Sequence, residues 1–341
     1  MKEYIFQLPS PFPLESGGRL AGARVAYRTW GQLNATRDNV VWVCHALTAN
    51  ADVLDWWPGL FGEGHFFDPA DWFIVCANVL GSCYGSTCPL DADPTTGLGR
   101  YQEFPLLTVR DMVAAHEALR QELGLAQVHT LIGGSLGGQQ ALEWAVCQPA
   151  VFGHLVVIAT SARHSAWGIA FNEAQRLAIE ADATYHEGRP GGGDAGLAAA
   201  RAVALLSYRG YEAYGATQTD PDDNRLHDFR ASSYQRYQGN KLVARFDAYS
   251  YVALTRTMDS HHLGRGRGGV PAALARIRAR TLVLGITSDE LFPLSEQRQL
   301  AAGIAGATYG ELDSGYGHDG FLLETGKITQ ALEVFYAAAL A

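Results

Sequence analysis

Short apolar segments alternate with segments of helical periodicity along most of this chain, and this alternation limits the possible folds more than any other feature. The apolar segments have the length of β-strands and are apolar nearly throughout, which is typical of strands covered on both faces in a parallel sheet. They lie at residues 40–44, 73–79, 128–133 and 155–160, with helical segments at 108–124 and 136–147. The alternation predicts an α/β fold with a mostly parallel sheet flanked by helices.

The alternation stops near residue 163 and resumes only at residue 281. Strand-like segments follow at 281–286 and 307–312, and a last helix is expected at 327–340. The intervening stretch is helical or loop-like, so we interpret it as an insertion that caps the sheet. The sequence therefore predicts two units, a core domain formed by residues 1–162 and 271–341 and a helical lid formed by residues 163–270.

Composition and charge narrow the class of substrate. The chain has 341 residues, 48% of them hydrophobic, which is enough for one large domain with such an insertion. Its formal net charge of -9 disfavours nucleic acid and anionic membranes and favours a small-molecule substrate. No apolar run approaches the ~18 residues of a membrane span, and the N-terminus lacks the apolar stretch of a signal peptide, so we expect a cytoplasmic protein. The close pair Cys83 and Cys88 fits no zinc pattern, and no metal site is expected.

A serine motif lies at the junction of a predicted strand and a predicted helix. Gly133-Gly134-Ser135-Leu136-Gly137 matches G-x-S-x-G, the nucleophile elbow of the α/β-hydrolase fold. The tight turn holds the serine hydroxyl above the sheet, and small neighbours are needed because the flanking backbones pass in contact. The pentapeptide alone is common by chance, but its strand-to-helix context makes Ser135 the candidate nucleophile.

The acid and the base of such a site follow the serine along the chain, on loops after later strands. Asp289 comes directly after the strand at 281–286, with Glu290 as a rival, and we favour Asp289. Of the eleven histidines, His318 alone lies after Asp289. We therefore predict a triad in which His318 activates Ser135 as general base and Asp289 orients the imidazole.

The second oxyanion donor is expected on the loop after an early strand. Cys44-His45-Ala46-Leu47-Thr48 occupies that position. The backbone N–H of Leu47, together with that of Leu136, is the candidate oxyanion hole. An ordinary exit from a strand into a loop is the alternative.

Several motifs together carry a resemblance to one family. The chain resembles the homoserine O-acetyltransferase family from about residue 12 to about residue 323 in the following segments: Cys44-His45-Ala46-Leu47-Thr48, Asn78-Val79-Leu80-Gly81, Tyr84-Gly85-Ser86-Thr87, Gly133-Gly134-Ser135-Leu136-Gly137-Gly138, Ala141-Leu142-Glu143-Trp144-Ala145 and Gly317-His318-Asp319. The resemblance implies acyl transfer from acyl-coenzyme A, used as a co-substrate, to the hydroxyl of L-homoserine in methionine synthesis, and a homodimer formed through the lid. We predict a ping-pong reaction with acetyl-coenzyme A that needs no metal and no bound cofactor.

The resemblance also implies which residues hold the amino acid. Phe171-Asn172-Glu173-Ala174-Gln175-Arg176 looks like the family's lid helix, whose arginine binds the homoserine carboxylate, so that role falls on Arg176. The aspartate after the catalytic histidine, here Asp319, is expected to pair with the α-ammonium. A guanidinium and a carboxylate suit these charges. The alternatives are a surface salt bridge for Arg176 and a turn-capping acid for Asp319.

The sequence leaves parts of the substrate question open. Ala49-Asn50 replaces a common glycine, and Leu136 and Gln139 stand where methionines are frequent, so a succinyl donor and a serine acceptor remain alternatives. A simple esterase on the same fold is a rival, since fold and triad do not decide the acceptor; a non-catalytic binding module is a weaker one. The basic loop at 264–269 either meets coenzyme A phosphates or is a flexible surface loop.

Overall fold

The computed structural model describes residues 3–94 and 96–338. Within those residues no helix is both long enough and apolar enough to span a membrane. The strands are β1 (Tyr4–Gln7), β2 (Phe12–Pro13), β3 (Arg19–Leu20), β4 (Arg24–Trp30), β5 (Val40–Cys44), β6 (Phe73–Ala77), β7 (Val128–Gly134), β8 (Phe152–Ile158), β9 (Arg280–Ile286) and β10 (Thr308–Leu312).

Helices separate most of these strands. The helices are α1 (Val53–Trp56), α2 (Val109–Glu122), α3 (Leu136–Cys147), α4 (Ala166–Glu180), α5 (Asp194–Tyr208), α6 (Tyr211–Gln218), α7 (Arg230–Val243), α8 (Ala248–Asp259), α9 (Val270–Leu274), α10 (Leu294–Gly303), α11 (Gly320–Leu323) and α12 (Thr325–Ala337). Short 3-10 turns lie at Tyr101–Glu103, Ala183–Glu187 and Gly317–Asp319. The predicted last helix corresponds to α12, and its predicted end at Leu340 lies outside the described residues.

The main sheet has the order β1-β4-β6-β5-β7-β8-β9-β10 in the part of the chain that the structure describes. The strands from β6 to β10 pair in parallel, whereas β4 and β1 are antiparallel at one edge. The predicted α/β fold with a mostly parallel sheet is confirmed. The parallel strands share one carboxyl edge, and the loops after β5, β7, β9 and β10 meet there.

Burial on both faces explains why the central strands could be predicted. All five residues of β5 are buried. Val40, Trp42 and Cys44 belong to a core cluster under one layer of helices, and Val41 and Val43 to a cluster on the opposite face. Because both faces of β5 are covered, its sequence is continuously apolar rather than alternating.

The helices α4 to α9 separate β8 from β9 in a stretch that the structure describes throughout. The two ends of the part that contains α4 to α8 run side by side, since the amide of His164 donates to the carbonyl of His261 (3.1 Å) and the amide of Leu263 donates to that of Ala162 (2.9 Å). A segment that leaves and rejoins the core at one place fits the predicted lid, and the boundaries 163 and 270 stay a prediction.

The basic loop at 264–269 is anchored by acidic residues of the core. Arg265 pairs with Glu15 at 2.8 Å, and Arg267 donates to the buried carboxylate of Glu143 at 2.8 Å. Arg110 reaches the same Glu143 carboxylate at 3.3 Å. Neither Arg265 nor Arg267 lines the pocket that contains Ser135. The loop therefore ties the lid to helices α2 and α3.

Candidate active site

Ser135 lies in a strained turn between β7 and α3, with φ 57° and ψ -127°. A non-glycine residue with positive φ is costly, and it persists only where the surroundings hold it. Here the amide of Ser135 donates to the carbonyl of Ile158 (3.0 Å), and the hydroxyl of Thr160 donates to the carbonyl of Ser135 (2.8 Å). The end of β8 and the residue Thr160 that follows it thus hold both the amide and the carbonyl of the serine in place.

The glycines of the elbow permit a close approach of three backbone segments. A Cβ atom on Gly133 would lie 2.4 Å from the backbone of Gly137. One on Gly137 would lie 2.0 Å from the carbonyl oxygen of Cys44, at the end of β5. No side chain fits at these distances, so the motif needs glycine at both positions.

The imidazole of His318 joins the serine to an acid. Its Nε2 lies 2.8 Å from the hydroxyl oxygen of Ser135, and its Nδ1 lies 2.7 Å from a carboxylate oxygen of Asp289. An ionised carboxylate can only accept a hydrogen bond, so Nδ1 carries the hydrogen, and this N–H donates a hydrogen bond to Asp289. The lone pair on Nε2 then faces the serine hydroxyl, as a general base requires.

The two adjacent acids after β9 lie in different surroundings. Asp289 is buried, and its second carboxylate oxygen accepts from the amides of Leu291 and Phe292, both at 2.9 Å. Glu290 is exposed to solvent. The structure therefore brings Asp289, and not Glu290, to His318.

The loop after β5 packs on the first turn of α3. The side chain of Gln140 donates to the carbonyls of His45 (3.1 Å) and Leu136 (3.2 Å), which ties the loop to the helix. Leu136 is the first residue of α3, where amides have no intrahelical acceptor. Leu47 and Ser135 line the same pocket. This places the two predicted oxyanion donors on segments that meet at the nucleophile.

His45 stabilises this loop. No role was predicted for this residue from the sequence. Its Nε2 accepts from the amide of Val79 (3.0 Å), so its Nδ1 carries the proton and donates to the carbonyl of Ala46 (2.8 Å). Complete burial lowers the pKa of His45 to about 4, because the charged form would lose its hydration. The imidazole is therefore neutral at physiological pH and joins the loops after β5 and β6.

A cavity of about 260 Å³ opens on the triad. Its lining contains Ser135 and His318, apolar and aromatic side chains, and several charged groups. The lining residues are Ala46, Leu47, Thr48, Ala49, Asn50, Asp55, Trp56, Tyr84, Ser135, Arg201, Tyr208, Arg245, His318, Asp319, Phe321 and Leu322. This combination suits a small polar substrate next to a nucleophile.

Arg176 is not among the residues that line this cavity. Its buried guanidinium pairs with Glu173 on its own helix and with Asp259 on α8, both at 2.6 Å. The guanidinium that was expected to bind a substrate carboxylate is thus already paired with two carboxylates of the protein. Arg176 instead stabilises the packing of α4 against α8.

No motif in the sequence pointed to Arg201. It lies on α5, lines the cavity, and has its guanidinium carbon 5.5 Å from the centre of the Tyr208 ring. Within the residues that the structure describes, no carboxylate lies within 4 Å of its nitrogens. Its place on an internal lid helix gave no sequence signal, because the direction in which that helix faces depends on tertiary packing.

Asp319 lines the cavity as expected from the sequence. Its carboxylate lies 2.8 Å from the Nε of Arg209. Burial raises the pKa of Asp319, against the opposing effect of the positive charges of Arg209 and Arg201. Asp319 and Arg201 thus offer one negative and one positive group beside Ser135.

A family model described as alpha/beta hydrolase fold matches residues 39–325. A homoserine O-acetyltransferase from Cyclobacterium marinum is 47% identical over 336 residues, which cover 98% of this chain and 95% of the relative. Among the described residues, no group of three or more His, Cys, Asp or Glu side chains could hold a metal ion.

Solved structures give the same fold with different activities. The crystal structure of homoserine O-acetyltransferase from Staphylococcus aureus has a TM-score of 0.81 at 32% identity, covering 99% of this chain and 95% of that one. The crystal structure of esterase E22 has a TM-score of 0.88 at 21% identity, covering 98% of this chain and 99% of that one. The likeness to the esterase shows the fold alone.

Proposed function

Because this chain belongs to the homoserine O-acetyltransferase family of α/β hydrolases, we infer that it transfers an acetyl group from acetyl-coenzyme A to the hydroxyl of L-homoserine. Acetyl-coenzyme A is a co-substrate in this proposal, not a bound cofactor. The product is an activated amino acid that serves methionine synthesis. The reaction runs in two half-reactions through an acetyl-serine.

In the first half-reaction His318 takes the proton of the Ser135 hydroxyl, and the serine oxygen attacks the carbonyl carbon of the thioester. The amides of Leu47 and Leu136 stabilise the tetrahedral oxyanion, each by roughly 3–4 kcal/mol. The intermediate then collapses with cleavage of the carbon–sulfur bond. The imidazolium of His318 returns its proton to the leaving sulfur, which gives free coenzyme A and acetyl-Ser135.

In the second half-reaction homoserine occupies the place that the thiol has left. Arg201 binds its carboxylate and Asp319 binds its α-ammonium, so that the side-chain hydroxyl faces the acyl group. His318 removes the hydroxyl proton, the oxygen attacks the ester carbonyl, and the serine oxygen leaves and is reprotonated by His318. Ser135 is thereby regenerated.

One observation carries the proposal over a simple esterase. Arg201, which has no carboxylate within 4 Å among the described residues, lines the same cavity as Asp319 and Ser135. An ester hydrolase does not need a cation and an anion that match the two ends of an amino acid. Positioned neighbours of this kind are what distinguish transfer from hydrolysis.

The experiment that tests the function measures release of free thiol. We would supply acetyl- or succinyl-coenzyme A, each without an acceptor, with L-homoserine or with L-serine. The proposal expects the fastest release with acetyl-coenzyme A and L-homoserine. Faster release with the succinyl donor or with serine would replace the donor or the acceptor in the proposal, and rapid release that no amino acid changes would support a hydrolase.

Family membership also supports a cytoplasmic homodimer formed through the lid. Large apolar side chains are exposed on the lid helices, and an interface between two copies would cover them. They include Trp167, Leu177, Leu206, Tyr211 and Tyr237. Light scattering at several protein concentrations measures the oligomeric state directly.

A further inference from the structure

Arg245 links the lid to the loop that carries the proposed oxyanion donor Leu47. It lies just after α7, and its Nη1 donates to the carbonyl of Thr48 (2.6 Å) and to the hydroxyl oxygen of Tyr84 (2.7 Å). Its Nη2 lies 3.3 Å from the hydroxyl of Thr48. Arg245 is exposed and also lines the cavity of Ser135. The guanidinium therefore lies where the cavity meets solvent.

The charge of Arg245 is not compensated. All three of its acceptors are neutral oxygens, and across residues 3–94 and 96–338 no carboxylate oxygen comes within 4 Å of it. By contrast, Arg176, Arg209 and Arg267 each pair with a carboxylate. A guanidinium has five N–H donors, so Arg245 keeps donors free for a further ligand. Such a group suits a phosphate.

The groups that line the cavity include deeply buried side chains and the exposed Arg245. Ser135 and His318 are buried within it, and the aromatic side chains of Trp56 and Tyr84 also line it. The acyl group of acetyl-coenzyme A must reach the serine, while the phosphates of the molecule stay hydrated. We propose that Arg245 is the specificity-determining residue for the donor and binds a phosphate of coenzyme A, an inference that rests on the proposed function.

The contact with Thr48 requires a test that separates two roles. Thr48 follows Leu47 directly, so loss of Arg245 could also displace the oxyanion loop and slow every donor. A donor without phosphates distinguishes the roles, since only phosphate binding depends on the donor. S-acetyl-N-acetylcysteamine is such a thioester.

The experiment compares kcat/KM of Arg245→Gln with both donors at saturating L-homoserine. With acetyl-coenzyme A we expect a loss of about tenfold, mainly in KM, as for one lost charge-assisted hydrogen bond. With S-acetyl-N-acetylcysteamine we expect no change. Arg245→Lys should recover most of the loss, and the salt dependence of kcat/KM for acetyl-coenzyme A should weaken in Arg245→Gln.

Arg256→Gln is the matched control, because Arg256 is an exposed lid arginine that pairs with Glu180 and lies outside the cavity. It should leave both donors unaffected. If Arg245→Gln lowers kcat/KM equally with both donors, the proposal is overturned, and Arg245 instead holds Thr48 and its loop in place. If kcat/KM falls with neither donor, the proposal is also overturned. Failure of the proposed function has a different signature, since the unaltered protein would then show no thiol release that depends on homoserine.

Discussion

Asp289 and Glu290 have the same chemistry, and their surroundings alone give them different roles. Asp289 is buried against His318 and two backbone amides, whereas Glu290 faces solvent. We expect Asp289→Asn to lower kcat by about 10³–10⁴-fold, because an amide favours the wrong imidazole tautomer. Glu290→Gln should change kcat by less than about twofold. Steady-state kinetics with matched melting curves would check this, and a larger loss at Glu290 would contradict the assignment.

Arg201 and Arg176 provide a second contrast on neighbouring helices. Arg201→Gln should raise KM for L-homoserine by about a hundredfold, as expected for a lost bidentate charge pair. The burst of thiol from the first half-reaction should remain, since the acceptor binds only after coenzyme A leaves. Arg176→Gln should leave this KM unchanged and lower the Tm, because Asp259 loses its partner. A raised KM for homoserine in Arg176→Gln alone would restore the original assignment.

The raised pKa of Asp319 predicts how the binding of L-homoserine depends on pH. In the proposed binding mode its carboxylate pairs with the α-ammonium only when ionised, and burial raises its pKa above that of an ordinary aspartate. As the pH falls, Asp319 is protonated earlier than a free aspartate would be, so KM for L-homoserine should rise on the acid side. In Asp319→Asn the KM should be high and independent of pH in that range. A KM profile that keeps its shape in the variant would assign the titration to another group.

The sequence singled out three residues that the structure brings together, because each of them follows a strand that could be recognised. Ser135 follows β7, Asp289 follows β9 and His318 follows β10, and parallel strands bring their carboxyl ends together. Arg201 offered no comparable signal. Its contact with the cavity depends on how α5 packs within the lid, which helical periodicity does not determine.

Whole strands and helices also differ in how clearly the sequence predicts them. The helical segment predicted at 108–124 is present as α2, which begins with a capping box of Thr108 and Asp111, and the buried strands were found to within a few residues. The antiparallel strands β1 and β4 were not predicted, because their partly exposed residues mix charged and apolar side chains. Antiparallel edges need not be apolar on both faces, so they lack the signal of the central strands.

The basic loop at 264–269 is held in place by one buried acid, Glu143. Glu143 on α3 is 1% exposed and receives Arg267 from the loop and Arg110 from α2. Glu143→Gln removes the negative charge between two guanidinium groups, and we expect a loss of roughly 2–3 kcal/mol in the free energy of unfolding. Thermal melting should show a Tm lower by several degrees.

The control for this prediction is an ion pair on the surface. Glu311 pairs with Arg298 at 2.7 Å, and both side chains are substantially exposed. Glu311→Gln should leave the Tm nearly unchanged, since solvent screens the pair. Equal effects of the two substitutions would show that Glu143 does not anchor the loop.

The molecule as a whole must favour transfer over hydrolysis, because the triad serves both reactions equally. In the proposed mechanism water at ~55 M competes with an acceptor at millimolar concentration for acetyl-Ser135, so transfer depends on positioning and on exclusion of water. Ser135 is only 6% exposed and shares its cavity with Arg201 and Asp319, which supports both.

Acetyl-coenzyme A alone should produce one equivalent of thiol per active site, followed by slow release. Intact-mass spectrometry should then find one acetyl group on the protein, and none on Ser135→Ala. L-homoserine should discharge this acetyl group more than about tenfold faster than water does, because a bound neighbour needs no diffusional encounter. D-homoserine should do little, since it cannot pair with Arg201 and Asp319 and also present its hydroxyl. If water discharges the acetyl group as fast as L-homoserine does, the cavity does not position an amino acid, and the protein acts as an esterase.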